Sequence, residues 1–114
     1  MILMRKIDSS NASRAIHYLR EHINYLADRD GVHDKNKRAR YLAGEFDDSV
    51  FCINTFIESL EKCEVTYPAA SQIAMYLEFR KRNLISLGLH TESVISQIKE
   101  LDFLFDYFNS NQGI

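Results

Sequence analysis

Apolar residues recur along most of this chain at intervals of three and four, the spacing that turns one face of an α-helix toward a core. From Ala12 the series runs through Ala15, Ile16, Leu19, Ile23 and Leu26. Ser9, Ser10 and Asn11 stand ready as N-caps and Asp30-Gly31 as a stop, which predicts a helix ending near Arg29. After a polar connection over residues 32–36, Ala39, Ala43, Phe46, Val50, Ile53, Ile57 and Leu60 alternate four and three without a slip. One continuous helix over 35–64 would fit that spacing. Gly44, followed by Glu45-Phe46-Asp47-Asp48-Ser49, predicts instead a helix end and an acid-rich fresh start, and the break is the reading adopted.

Val65-Thr66-Tyr67-Pro68 is the clearest boundary, because Pro68 is pre-set for the first helical position. A helix is expected over 69–87. Gly88 stops it, Leu89 supplies the apolar contact of such a cap, and Thr91 with Glu92 opens the last helix. That helix carries Val94, Ile98, Leu101, Phe105 and Phe108 on one stripe, widened by Leu104, while Ile95, Phe103 and Tyr107 lie off it. One side should meet the core and the other a partner or another helix.

Composition narrows the class. With 46% hydrophobic residues, one Pro and four Gly in 114 residues, the chain is expected to form a single all-α domain over 1–114, of about five helices. A net charge of −2 excludes a polycation but leaves room for a local basic face. The longest apolar run, over 73–77, is far short of the roughly 18 residues a membrane helix needs, and residues 1–8 have the wrong order for an export signal. A cytoplasmic protein away from membranes is the expectation. Cys52 and Cys63, eleven apart on one predicted helix, would share a face about 16 Å apart, too far for a disulfide, so two buried thiols are expected.

Chemistry is sparse. His17 and His22 are five apart rather than the four that aligns two ligands on a helix, and Asp47 and Asp48 are adjacent and point apart. No phosphate loop, dinucleotide fingerprint or nucleophile elbow occurs. The expectation is a non-enzymatic protein without metal or cofactor.

Sliding the chain on itself by 44 residues aligns residues 37–60 with 81–104 and gives six identities in 24. Gly44, Ser49 and Val50 fall on Gly88, Ser93 and Val94, while Lys37, Arg38 and Leu60 fall on Lys81, Arg82 and Leu104. Gly permits the left-handed turn, the following acid sits at a positive helix end, and Ser lets two helices approach. Gly44-Glu45-Phe46-Asp47-Asp48-Ser49-Val50 resembles the interhelical turn of tetratricopeptide repeats, with residues 88–94 a weaker copy. The spacing departs from that family's 34, and Ser replaces its usual Ala. In size and style the chain is similar to the small chaperones of type III secretion needle subunits.

The resemblance implies two helical hairpins after an N-terminal helix, with a concave surface formed by the first helix of each. Arg38 and Arg82 would then be equivalent, as would Tyr41 and Ile85, with Met75 and Glu78 further along and Phe103 and Tyr107 exposed beside the arginines. Such a groove suits an amphipathic helix with an acidic edge. The implied function is that of a small chaperone, adaptor or inhibitor, and a second copy of the chain is a further candidate partner.

A rival reading takes residues 83–101 as a DNA-binding helix-turn-helix. Ser93, Ser96, Gln97 and Lys99 would face the groove, and Arg80-Lys81-Arg82 with Lys35, Lys37, Arg38 and Arg40 would serve the phosphates. Leu84, where a small residue is usual, and Glu92, at the end approaching DNA, oppose it.

Overall fold

A computed structural model describes residues 3–110; Met1 and Ile2, which open the stretch tested above for an export signal, lie outside the described residues. The element order is β1 (Met4–Lys6), α1 (Ser9–Arg29), α2 (Lys35–Leu42), α3 (Asp48–Glu61), β2 (Glu64–Thr66), α4 (Tyr67–Ser86) and α5 (Glu92–Asn109). This is an all-α domain, with one two-stranded ribbon among the described residues.

Each helix starts on a side-chain cap that satisfies an otherwise orphaned backbone N–H. Asp8, rather than the expected Ser9, Ser10 or Asn11, caps α1, Asp34 caps α2, Asp47 accepts from Ser49 and Val50 at the head of α3, and Thr66 and Thr91 cap α4 and α5. The break predicted at Gly44 is present. Gly44 has φ +90° and its N–H donates to the Tyr41 carbonyl, while the Glu45 N–H reaches back to Arg40. Those two bonds close α2 as a Schellman motif. A Cβ at Gly44 would stand 2.9 Å from the Phe51 Cα, so only glycine lets α3 begin so close to the end of α2.

The core gathers around α1, which packs against α3, α4 and the short α2. Ala12, Ala15, Leu19, Ile23 and Ala27 are its buried stripe. They meet Val50, Ile53, Ile57 and Leu60 of α3 and Ile73, Leu77 and Leu84 of α4 in one cluster. Burying each of the larger aliphatics contributes roughly 2 kcal/mol. α5 lies on α4 as the partner of an antiparallel hairpin and adds Val94, Leu101, Leu104 and Phe108. Leu104 is fully buried whereas Ile98 and Phe105 are half-buried, so the inward stripe is turned slightly from the one read in the sequence. No described helix is long and apolar enough to cross a membrane.

The ribbon was not legible in the sequence. β1 pairs antiparallel with β2 in the register Met4↔Thr66, Arg5↔Val65 and Lys6↔Glu64, clamping the start of the chain to the α3–α4 connection. It exists because α3 ends early: Lys62 is its C-cap and Cys63 follows at φ +56° with its N–H on the Leu60 carbonyl. The placement of both cysteines on one helix is therefore corrected. Cys63 lies beyond the helix, and Cys52 is exposed rather than buried; both are free thiols.

Candidate functional site

The eight residues singled out in the sequence divide into three places. Arg38 and Tyr41 belong to α2 and are spent on holding it. Arg38 donates to Asp28 at 2.7 Å, to the Val32 carbonyl at 2.9 Å and to Asn24 Oδ1 at 3.1 Å. Tyr41 is 4% exposed and its hydroxyl donates to Asp30 Oδ2 at 2.7 Å. Burial and that carboxylate push the phenol up to about 12, while the Tyr41 hydroxyl and Arg29 hold the Asp30 carboxyl below its usual range. The expected equivalence with α4 is thereby corrected: Arg82 and Ile85 are exposed, and α2 packs on the C-terminal end of α1 instead of beside α4.

Met75, Glu78 and Arg82 do come together. They line a shallow trough of about 430 Å³ with Ser71, Phe79, Phe105 and Asn109, built on the outward face of α4 and the flank of α5. Met75 and Phe79 are one helical turn apart and remain 43% and 37% exposed. Arg82 lies 3.6 Å from Glu78 and is largely in solvent. Ile85 continues along the same helix toward the Gly88 turn, where Leu87 and Leu89 are also exposed. Phe79 and Phe105 were missed as site residues, although the four-residue step from Met75 to Phe79 was readable.

Phe103 and Tyr107 form the third group, on another flank of α5. Their rings stack with centroids 6.5 Å apart and line a cleft of about 790 Å³ with Met4, Arg5, Lys6, Tyr67, Asp106 and Ser110. The arginine beside them is Arg5, not Arg38 or Arg82. Its guanidinium lies 4.7 Å from the Tyr107 ring centroid and donates to the carbonyls of Tyr107, Phe108 and Ser110, closing the end of α5. Nothing in the sequence marked Arg5 for that work, which depends on the ribbon.

No family model matches this chain, and no curated protein or solved structure does.

Behind the α4 trough lies a buried polar cluster. His22 is 4% exposed, ringed by Tyr25, Tyr76 and Phe79, and its Nδ1 faces Asn83 Nδ2 at 3.1 Å. Burial, then the nearby Arg80 and Arg29 charges, bring its pKa down to about 4, so the ring is neutral at physiological pH and accepts at Nδ1. Arg80 pairs with Glu21 at 2.8 Å, and Glu21 also meets His17 at 2.8 Å. Lys81 pairs with Asp102 at 2.6 Å across the α4–α5 hairpin. Among the described residues no three His, Cys, Asp or Glu side chains converge as metal ligands.

Proposed function

We propose that this chain is a non-enzymatic, cytoplasmic protein-binding module, a small chaperone, adaptor or inhibitor that takes an amphipathic helical segment of a partner against the outer face of α4. The observation that supports this most directly is the trough itself, where Met75 and Phe79 offer adaptable apolar surface over Phe105, with the Glu78–Arg82 pair at its rim. Thioether and aromatic side chains on a rigid helix pair suit helix-in-groove recognition, and Arg82, the most exposed charge there, suits an acid on the partner's polar edge.

The DNA-binding alternative draws less support. Arg80, Lys81 and Arg82 each lie against an acid, and Arg38 and Arg40 face Asp28 and Glu45, which leaves Lys35 and Lys37 as the members of the two basic groups outside these ion pairs. Lys81 meets Asp102 and Ser71 shares the trough with Asn109, so α4 and α5 run antiparallel along most of their length. A helix-turn-helix crosses at roughly 90–120°.

Affinity capture of the tagged chain from its host, followed by purification of the recovered protein and calorimetry, tests the reading. Arg82→Glu and Met75→Glu should each weaken that complex at least tenfold, about 1.4 kcal/mol, with the melting temperature unchanged. Full affinity in both variants, or salt-sensitive binding to one preferred duplex sequence, refutes it.

A further inference from the structure

The cleft beside β1 has features the α4 trough lacks. In an antiparallel ladder, hydrogen-bonded and non-hydrogen-bonded pairs alternate along the strand. The Ile7 N–H donates to the Cys63 carbonyl at 2.8 Å and extends the β1–β2 register by one step. Arg5 and Val65 are therefore the next hydrogen-bonded pair. The N–H and C=O groups of Met4 and Lys6 point away from β2, toward the open edge, where no described residue bonds them. Met4, Arg5 and Lys6 also line the cleft that holds the stacked pair Phe103 and Tyr107 of α5.

We propose that this cleft accepts an extended peptide segment of another protein as a third strand on β1, carrying an acidic residue followed by an aromatic one. The backbone supplies two donors and two acceptors at the spacing an antiparallel strand requires. Cross-strand neighbours share a face, so the peptide residue opposite Arg5 turns to the side on which Arg5 reaches α5 and meets Phe103 and Tyr107. The residue before it, opposite Lys6, lies beside that ammonium, which makes no ion pair among the described residues, its cross-strand neighbour Glu64 included. Arg5 is already committed to three carbonyls, leaving Lys6 to select the acid.

A second copy of this chain is a poorer occupant. Two β1 edges paired about a twofold axis at Arg5 would set Arg5 against Arg5 and leave the two Lys6 side chains as diagonal neighbours on one face, each opposite Met4, and edge lysines so placed discourage self-pairing.

The probe is acetyl-Ser-Thr-Glu-Phe-Val-Thr-Ser-amide, titrated into the nitrogen-labelled full chain and followed by amide shifts and hydrogen exchange. Met4 and Lys6 amides should gain protection, while Arg5 and Ile7 amides are protected already. N-methylation of the peptide's Glu should abolish binding, and N-methylation of its Phe, whose N–H faces away from β1, should not. Lys6→Pro removes an outward N–H and the ammonium but no β1–β2 bond, so it should keep the Ile7 protection and lower peptide affinity at least tenfold. Should that variant fail to fold, Lys6→Glu replaces it, and it should prefer a peptide with Lys in place of Glu. No binding at millimolar peptide overturns the proposal. So do equal affinity in the Lys6 variants and protection of the Met4 and Lys6 amides by self-association alone.

Discussion

His22 should make the protein less stable in mild acid, by an amount fixed by its burial. The ring is held neutral with a pKa of about 4, against an ordinary 6.5 in the unfolded chain. Between those values the unfolded chain takes up a proton that the folded one refuses. Stability is therefore unaffected above 6.5 and falls as the pH drops through the window toward 4. At roughly 1.4 kcal/mol per pH unit, the loss is about 2 kcal/mol by pH 5 and about 3 kcal/mol in full. Urea unfolding from pH 8 to 5, on the wild type and on His22→Gln, isolates the effect. The other histidines are common to both proteins, so the difference between the two pH slopes belongs to His22. His22→Gln should cost stability at pH 8, because it leaves a gap among Tyr25, Tyr76 and Phe79, yet lose the acid slope. Parallel slopes, or an NMR titration of His22 with a midpoint near 6.5, would refute the reasoning.

The turn glycines separate two kinds of cost. Gly44→Ala combines a positive φ with a Cβ 2.9 Å from the Phe51 Cα and should destabilise by roughly 2–4 kcal/mol, whereas Gly88→Ala, at φ +68° with open space around it, should lose only about 1 kcal/mol. Denaturant midpoints decide, and equal losses would remove the role given to the close approach at Phe51. Arg5→Ala should cost about 2 kcal/mol, since it strips the end of α5 of its donors; Arg5→Lys should recover only part, lacking the planar fork. A loss below about 0.5 kcal/mol for Arg5→Ala would show that solvent serves those carbonyls equally well.

Much of this architecture is local and was legible in the residues alone. A helix declares itself by its apolar period, its capping Asp or Thr and its closing Gly, and the breaks at Gly31, Gly44, Pro68 and Gly88 each rest on backbone geometry that a single residue type favours. The end of α3 escaped because the residue in the left-handed conformation is Cys63, which announces nothing. The ribbon escaped with it, since three-residue strands carry too few positions for an alternating pattern to register.

The candidate surfaces depended more heavily on tertiary structure. The spacing from Met75 to Phe79 and Arg82 put them on one helical face, and they remain exposed because among the described residues no further helix covers that side of α4. Arg38 and Tyr41 have the same residue types and spacing, yet α2 docks on the end of α1, where Asp28 and Asp30 claim both. Phe103 and Tyr107 were visible as aromatics off the stripe. That they share a cleft with Arg5 and the rest of β1, across about a hundred residues of sequence, was decided by the pairing of β1 with β2. Periodicity gives each side chain an azimuth on its own helix; which neighbour occupies that direction depends on how the helices dock, a competition among many weak contacts with no signature in the spacing.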